Sequence, residues 1–288
     1  MPRRLLVLVA LLMLAACCGA PPPGTALPSP PTEALAAWQS FPADQIPRPI
    51  ILFFDLHPSG NGYAGGDAKI AASCSKFALA STLPAQVPSQ AVATWNNGTT
   101  VTYPAISAAD AFVAMARAAG VQSPDCATVA PLPITGTRFG TTQVKTDRGT
   151  ATMSAWLFSA TGANGDLAWP ALARSAFWDD GTTRRAWDQS ATASSDARVM
   201  TFTFTGAPDN PGPCGADYAA AVAESTSAVA IRVLAISHSA PGAPIACTAI
   251  AAVRTVTVVL GGPLGGRVLV NAEGDAVAVC SEAARPGC

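Results

Sequence analysis

The run Val199-Met200-Thr201-Phe202-Thr203-Phe204-Thr205 alternates with a period of two. A helix would scatter Met200, Phe202 and Phe204 around its axis, whereas a strand sets all three on one core-facing side. Similar β-branched runs recur along the chain, separated by turn chemistry such as Asn97-Gly98 and Asp179-Asp180-Gly181. The pattern predicts a mainly β protein with a minor α component. We expect two antiparallel, sandwich-like sheet modules, the first carrying one short helix.

The first module is expected over 49–195. Its strands fall at 50–54, 68–73, 76–83, 90–95 and 99–103, in a pair within 140–160 that turns at Asp147-Arg148-Gly149, and near 166–178. Ser107 opens the one convincing helix, where Ala109, Phe112, Val113, Ala116 and Ala119 recur at helical spacing before Gly120. A further short helix fits Thr32 to Trp38. The second module is expected over 196–288, with strands at 199–205, 217–224, 228–236, 252–260, 267–271 and 276–280. The alanines of Tyr218 to Glu224 satisfy either period, but a turn at Ser225 to Ser227 favours a hairpin.

The N-terminus reads as a leader rather than as part of the fold. Arg3 and Arg4 precede the apolar run from Leu5 to Leu14, and the small residues Ala15 and Ala16 follow, which is the order of a secretory signal. The apolar stretch is too short for the roughly 20 residues of a transmembrane helix. Leu14-Ala15-Ala16-Cys17 resembles the lipobox of bacterial lipoproteins, in which the cysteine sulfur receives a diacylglycerol before the leader is cut. The resemblance implies a signal peptide over 1–16, lipidation at Cys17, and anchoring to the extracytoplasmic side of the cell membrane. Pro21, Pro22, Pro23, Pro28, Pro30 and Pro31 then favour an extended spacer of roughly 40 Å. The tether is expected to occupy 17–48.

Export places the other cysteines in an oxidising compartment. With Cys17 committed to lipid, seven remain, and if each module closes on itself the simplest pairing is Cys74–Cys126, Cys214–Cys247 and Cys280–Cys288, with Cys18 left in the tether. Other connectivities and free buried thiols stay open. The sequence contains no Cys-x-x-Cys and only His57 and His238, so we expect no metal site and no cofactor. Losing Arg3 and Arg4 with the leader leaves 15 Lys and Arg against 18 Asp and Glu, about −3 in formal charge. Without a basic block to track phosphates, nucleic acid is not an expected partner.

Cys214 and Cys247, followed by Arg254-Thr255-Val256-Thr257-Val258-Val259-Leu260 and Pro263-Leu264-Gly265-Gly266-Arg267, resemble a β module of uncharacterised exported proteins of actinobacteria. The likeness covers roughly the last 90 residues. Arg148-Gly149-Thr150-Ala151 with Ala155-Trp156-Leu157-Phe158 is similar to a shorter segment of the same proteins. This resemblance implies export and a β architecture, and it transfers no catalytic residue.

Four local patterns invite a chemical reading. Ser73-Cys74-Ser75-Lys76 matches the Ser-x-x-Lys of penicillin-recognising enzymes, but no Ser-Asp-Asn or Lys-Thr-Gly accompanies it, so a strand surface is the simpler reading. Asp55 and His57, at the end of a core strand, could serve as an acid-base pair in a hydrolase with an unidentified serine, although no Gly-x-Ser-x-Gly elbow exists. His57 and His238 otherwise read as surface turn residues. Trp169, Trp178 and Trp187 recur at intervals of nine and could stack on sugar rings, yet odd spacing puts them on alternating faces and core packing is the plainer account. Gly261-Gly262 and Gly265-Gly266 flank Pro263-Leu264 between two strands and predict a hairpin connection rather than a phosphate cradle.

The leading expectation is a membrane-tethered extracytoplasmic lipoprotein that binds or scaffolds in the cell envelope, on a cell-wall glycan or another envelope protein, rather than an enzyme. A secreted hydrolase using Asp55 and His57, and a glycan-binding module using the tryptophans, are the rivals.

Overall fold

The computed structural model describes residues 29–53, 62–118, 123–178, 185–239, 246–248 and 250–281. Its first part comprises β1 (Leu52–Phe53), α1 (Gly66–Ser73), β2 (Phe77–Leu79), β3 (Gln90–Trp95), β4 (Thr100–Pro104), α2 (Ala108–Arg117), α3 (Asp125–Thr128), β5 (Leu132–Thr146), β6 (Gly149–Ala160) and β7 (Leu167–Pro170). Seven strands form one sheet in the order β1-β5-β6-β3-β4, with β2 beside β5 and β7 beside β6. The long β5–β6 hairpin is its spine, and Thr146 pairs with Gly149 across the turn. Gly149 has φ +85°, and a Cβ there would meet the Cys280 sulfur at 3.3 Å, so glycine serves both the turn and the close approach.

Helix α2 forms as its spacing predicts. The Ser107 hydroxyl accepts from the Asp110 N–H at 3.0 Å, satisfying an otherwise orphaned donor of the first turn. Ala108, Ala111 and Met115 are fully buried against the sheet. Its expected last residue, Ala119, and the closing Gly120 lie outside the described residues. The strand expected at 68–73 is instead α1. Ala68, Ala71 and Ala72 are strong helix formers without a side chain that insists on either period, and burial of Ala71 and Ala72 against the sheet decides the outcome. The expected strand near 166–178 stops at Pro170, and a 3₁₀ turn at Arg174–Ala176 carries the chain on.

The second sheet comprises β8 (Arg185–Ala193), β9 (Val199–Gly206), β10 (Ala216–Glu224), β11 (Ala228–Ser237), β12 (Ala252–Val259), β13 (Val268–Asn271) and β14 (Ala276–Ser281). Its order is β10-β11-β13-β14-β8-β9-β12, and it curls until β12 comes alongside β10. Met200, Phe202 and Phe204 face inward as expected, packed with Ile231, Val256, Val258 and Leu269 in the interior. The boundary expected at 195/196 falls inside the β8–β9 hairpin: β8 already belongs to the second sheet. Its sequence, RAWDQSATA, carries no clean alternation that would mark it as a partner of β9.

One further expectation is corrected. Residues 260–267 are not a hairpin, because β13 pairs in parallel with β11 and not with β12. The connection crosses the end of the β10–β11 hairpin, where Arg267 holds Glu224 at 2.7 Å and donates to the Gly262 and Pro263 carbonyls. Both sheets are mainly antiparallel, as expected, with β2–β5, β11–β13 and β14–β8 as the parallel pairs.

The segment expected as the end of the tether is part of the folded body. Thr32–Trp38 is a 3₁₀ helix, and Trp38, Phe41, Ile51 and Phe53 pack on the outer face of the second sheet against Ala228, Ala230, Ala276 and Ala278. Trp38 donates from its indole nitrogen to the Gly274 carbonyl at 2.9 Å. Gly266 lies so close to this segment that a Cβ would fall 2.0 Å from the Ala43 carbonyl oxygen. The chain therefore crosses the second sheet before it enters the first.

Candidate functional site

Where the two sheets meet, the β5–β6 turn buries a carboxylate. Asp147 is 3% exposed, accepts from the Ile51 N–H at 3.1 Å and pairs with Arg48 Nη2 at 2.6 Å. Arg48, also buried, donates to the Gly266 carbonyl from the second sheet's crossing connection and to its neighbour Pro49. Backbone bonds continue the junction: Asp147 N–H to Ile51 O, and Val279 N–H to Asp147 O. One ion pair thus ties the N-terminal segment, the first sheet and the second together. Arg148 turns the other way, with its guanidinium 4.3 Å from the centroid of Trp95, a cation–π contact. Burial lowers its pKa against the opposing pull of Asp147, and burial raises that of neighbouring Tyr103. Sequence reasoning read Asp147-Arg148-Gly149 only as turn chemistry, and nothing local announces that both charges are covered.

His238 is equally committed. Its Nδ1 lies 2.8 Å from the Asn210 carbonyl oxygen and its Nε2 3.1 Å from an Asp217 carboxylate oxygen. Both ring nitrogens can donate only when the ring is protonated, and the Asp217 hydrogen bond, then the Asn210 carbonyl, raise its pKa. A ring held this way ties the loop before β10 to the end of β11 and is not poised as a general base. Nearby, Cys214–Cys247 closes the same end of the sheet.

A concave feature lies in the first part of the chain. A cleft of about 610 Å³ opens between α1, α3 and the start of β5. Ile70, Ala71, Val129 and Leu132 line it on the apolar side, while Asp67 and Asp125 stand in the first turns of the two helices. Cys74 and Cys126 join the two helical walls by a disulfide. Lys76 adds to this clamp by donating to the Val129 carbonyl at 3.2 Å. Neither aspartate is distinguished by a sequence motif; only the packing of α1 beside α3 brings them to one cleft.

The residues singled out by sequence are distributed as follows. Ser73 ends α1, Cys74 is in the disulfide, and Lys76 is turned onto backbone carbonyls, so the Ser-x-x-Lys pattern belongs to the clamp. Asp55, His57 and Cys17 lie outside the described residues. Trp169 packs with the first sheet's core, Trp178 with Phe41 on the second sheet's outer face, and Trp187 is 52% exposed with its edge toward Phe53. The three therefore sit in three different surroundings. Cys280 is disulfide-bonded, and Cys288, its expected partner, is outside the described residues. Among the described residues no group of three or more His, Cys, Asp or Glu side chains is placed to hold a metal ion, and no helix is long and apolar enough to cross a membrane.

No known protein family matches this chain, and no curated protein or solved structure is similar to it.

Proposed function

We propose that the chain is an exported lipoprotein, anchored through acyl chains on Cys17, whose folded body works in the cell envelope by binding rather than by catalysis. The observation that carries this reading is the pair of disulfides, Cys74–Cys126 and Cys214–Cys247, because such cross-links persist where the compartment is oxidising. The lipobox-like Leu14-Ala15-Ala16-Cys17 supplies the anchor. The commitment of His238 and Lys76 to backbone and ion-pair contacts supports the binding part. The proline-rich run that follows Cys17 in the sequence supplies a spacer in this reading.

Expression of the full precursor in a lipoprotein-processing bacterium tests the anchor. The protein should label with radioactive palmitate and sediment with membranes, and Cys17→Ala should abolish both. Membrane-bound, processed Cys17→Ala protein would overturn the reading. Trp187, as the exposed member of the tryptophan set, keeps a glycan-binding version of the same reading open to test. Retention of the protein on envelope polysaccharide, lost in Trp187→Ala, would favour that version.

A further inference from the structure

We infer that the uncovered part of the second sheet's outer face, over β8, β9 and β12, binds an uncharged, extended chain of pyranose rings; this deepens the glycan version of the reading above and rests on it. The aromatic cover from the N-terminal segment packs on β10, β11, β13 and β14. Beyond it, Met200, Phe202, Val256 and Val258 point inward, so Thr201, Thr203, Thr205, Thr255 and Thr257 point outward by alternation. The ladder sets Thr201 opposite Thr257 and Thr203 opposite Thr255, with Thr192 and Ser190 of β8 beside Thr201 and Thr203. Val199 pairs with Val259 at one end and Thr205 with Val253 at the other. Val253 is 77% exposed and Val259 73%, and Thr205, Thr255 and Thr257 are exposed as well. None of these ten outward positions carries a charge.

Plain solvation of good strand formers is the competing account of these threonines and valines. It leaves two features unexplained. The first is that β12 ends the strand order, a position where charged side chains commonly guard against unwanted pairing, yet Val253, Thr255, Thr257 and Val259 are what it turns outward. The second is Trp187. From the pair Arg185–Ala276 to the pair Ser190–Ala278, five residues along β8 answer two along β14, and such a bulge re-aims side chains. It leaves Trp187 52% exposed, in edge contact with Phe53 of the cover, so the indole stands where the cover ends and the hydroxyl face begins. An indole face takes the C–H face of a sugar ring, and threonine hydroxyls both donate and accept. Asp188, exposed next to Trp187, adds an acceptor for sugar hydroxyls. A protein partner fits less well, because such interfaces rely on clustered aromatic and Arg anchors, and here one tryptophan stands at the border.

The test titrates the mature full-length protein in detergent with cellohexaose, an uncharged and extended β-linked chain, and with maltohexaose, its bent α-linked isomer, by calorimetry. Cellohexaose should bind saturably and more tightly than maltohexaose, with an affinity unmoved by added salt. Trp187→Ala should weaken it by about twofold to tenfold, and Trp187→Phe should keep most of the affinity. Thr203→Val combined with Thr255→Val preserves the strand-forming shape and removes a facing pair of hydroxyls; it should also weaken binding by about twofold to tenfold. Thr141→Val, exposed on the first sheet, should change nothing. Melting curves on each variant separate loss of fold from loss of contact, and the conservative Phe and Val replacements keep the test open if Trp187→Ala unfolds. Absence of saturable binding, equal binding of the two isomers, or full affinity in the threonine double variant would each overturn the inference. So would a dimer in sedimentation that Thr257→Lys dissociates, since a second copy would then occupy the face. If Trp187→Ala loses retention on envelope polysaccharide while the threonine double variant binds fully, the glycan reading stands and the hydroxyl face falls. Palmitate labelling bears on the Cys17 anchor alone.

Discussion

The two faces of the second sheet solve the burial problem in opposite ways. On the inner face large side chains meet large side chains: Met200, Phe202, Phe204, Ile231 and Leu269 interdigitate as the sheet curls on itself. On the outer face the sheet offers mainly alanines, Ala223, Ala228, Ala230, Ala276 and Ala278, and the bulk arrives from elsewhere as Trp38, Phe41, Ile51 and Phe53. A face of small residues cannot make a core by itself. It works as a bed for aromatic groups on another segment, and its stability therefore depends on whatever holds that segment down. Here the holding is done by Arg48 and Asp147, which tie the segment to the junction between the sheets.

The sharpest way to break this arrangement is Asp147→Ala. It strands a buried Arg48 guanidinium and frees the Ile51 N–H, so unfolding in denaturant should show a loss of about 3–5 kcal/mol. A paired replacement by apolar residues, Arg48→Met with Asp147→Leu, should recover much of that loss, and a double variant no better than Asp147→Ala would deny the junction its role. Next comes Trp38→Ala, which empties the outer face of its most buried aromatic and removes the bond to Gly274. Thermal or chemical unfolding should report about 3–5 kcal/mol, and a value near zero would mean that the outer face needs no cover.

Overfilling the bed gives a smaller effect. Ala278→Leu, at a fully buried site facing the cover, should cost about 1–3 kcal/mol by displacing aromatic neighbours. A conservative enlargement on the inner face, where large groups already pack, should be better tolerated if the two faces differ as described. The smallest effect is electrostatic and lies at the sheet's end. Because the folded pKa of His238 is raised above its ordinary value, folding is favoured by protonation. That contribution is complete below the ordinary histidine pKa and is lost as pH rises through the raised one. As pH rises above the ordinary histidine value of 6.5 the melting temperature should decline slightly, and Asp217→Asn should flatten the decline.

The inner face was legible in the sequence because its signal is local. Alternation of Met200, Phe202 and Phe204 needs no knowledge of a partner, and neither does the Ser107 cap of α2 or the turn that folds β10 onto β11. The outer face was not legible, since a run such as Ala219-Ala220-Ala221 fits a strand or a helix and says nothing of what will lie against it. The same ambiguity hid α1. The candidate cleft was hidden for a related reason: Asp67 and Asp125 are ordinary surface residues until a disulfide and a sheet edge place their helices side by side.

By itself, then, the sequence determined a mainly β chain, most strand positions and the simplest pairing of four of its cysteines, because periodicity, turn chemistry and cysteine spacing act over a few residues or a single module. Only the tertiary structure decided that β11 and β13 run parallel, that β8 belongs to the second sheet, that residues 29–53 cover that sheet, and that Arg48 is buried against Asp147. These features join residues far apart in the chain. Their free energy comes from excluding water at a contact, and no local pattern encodes which distant surface will supply the other half.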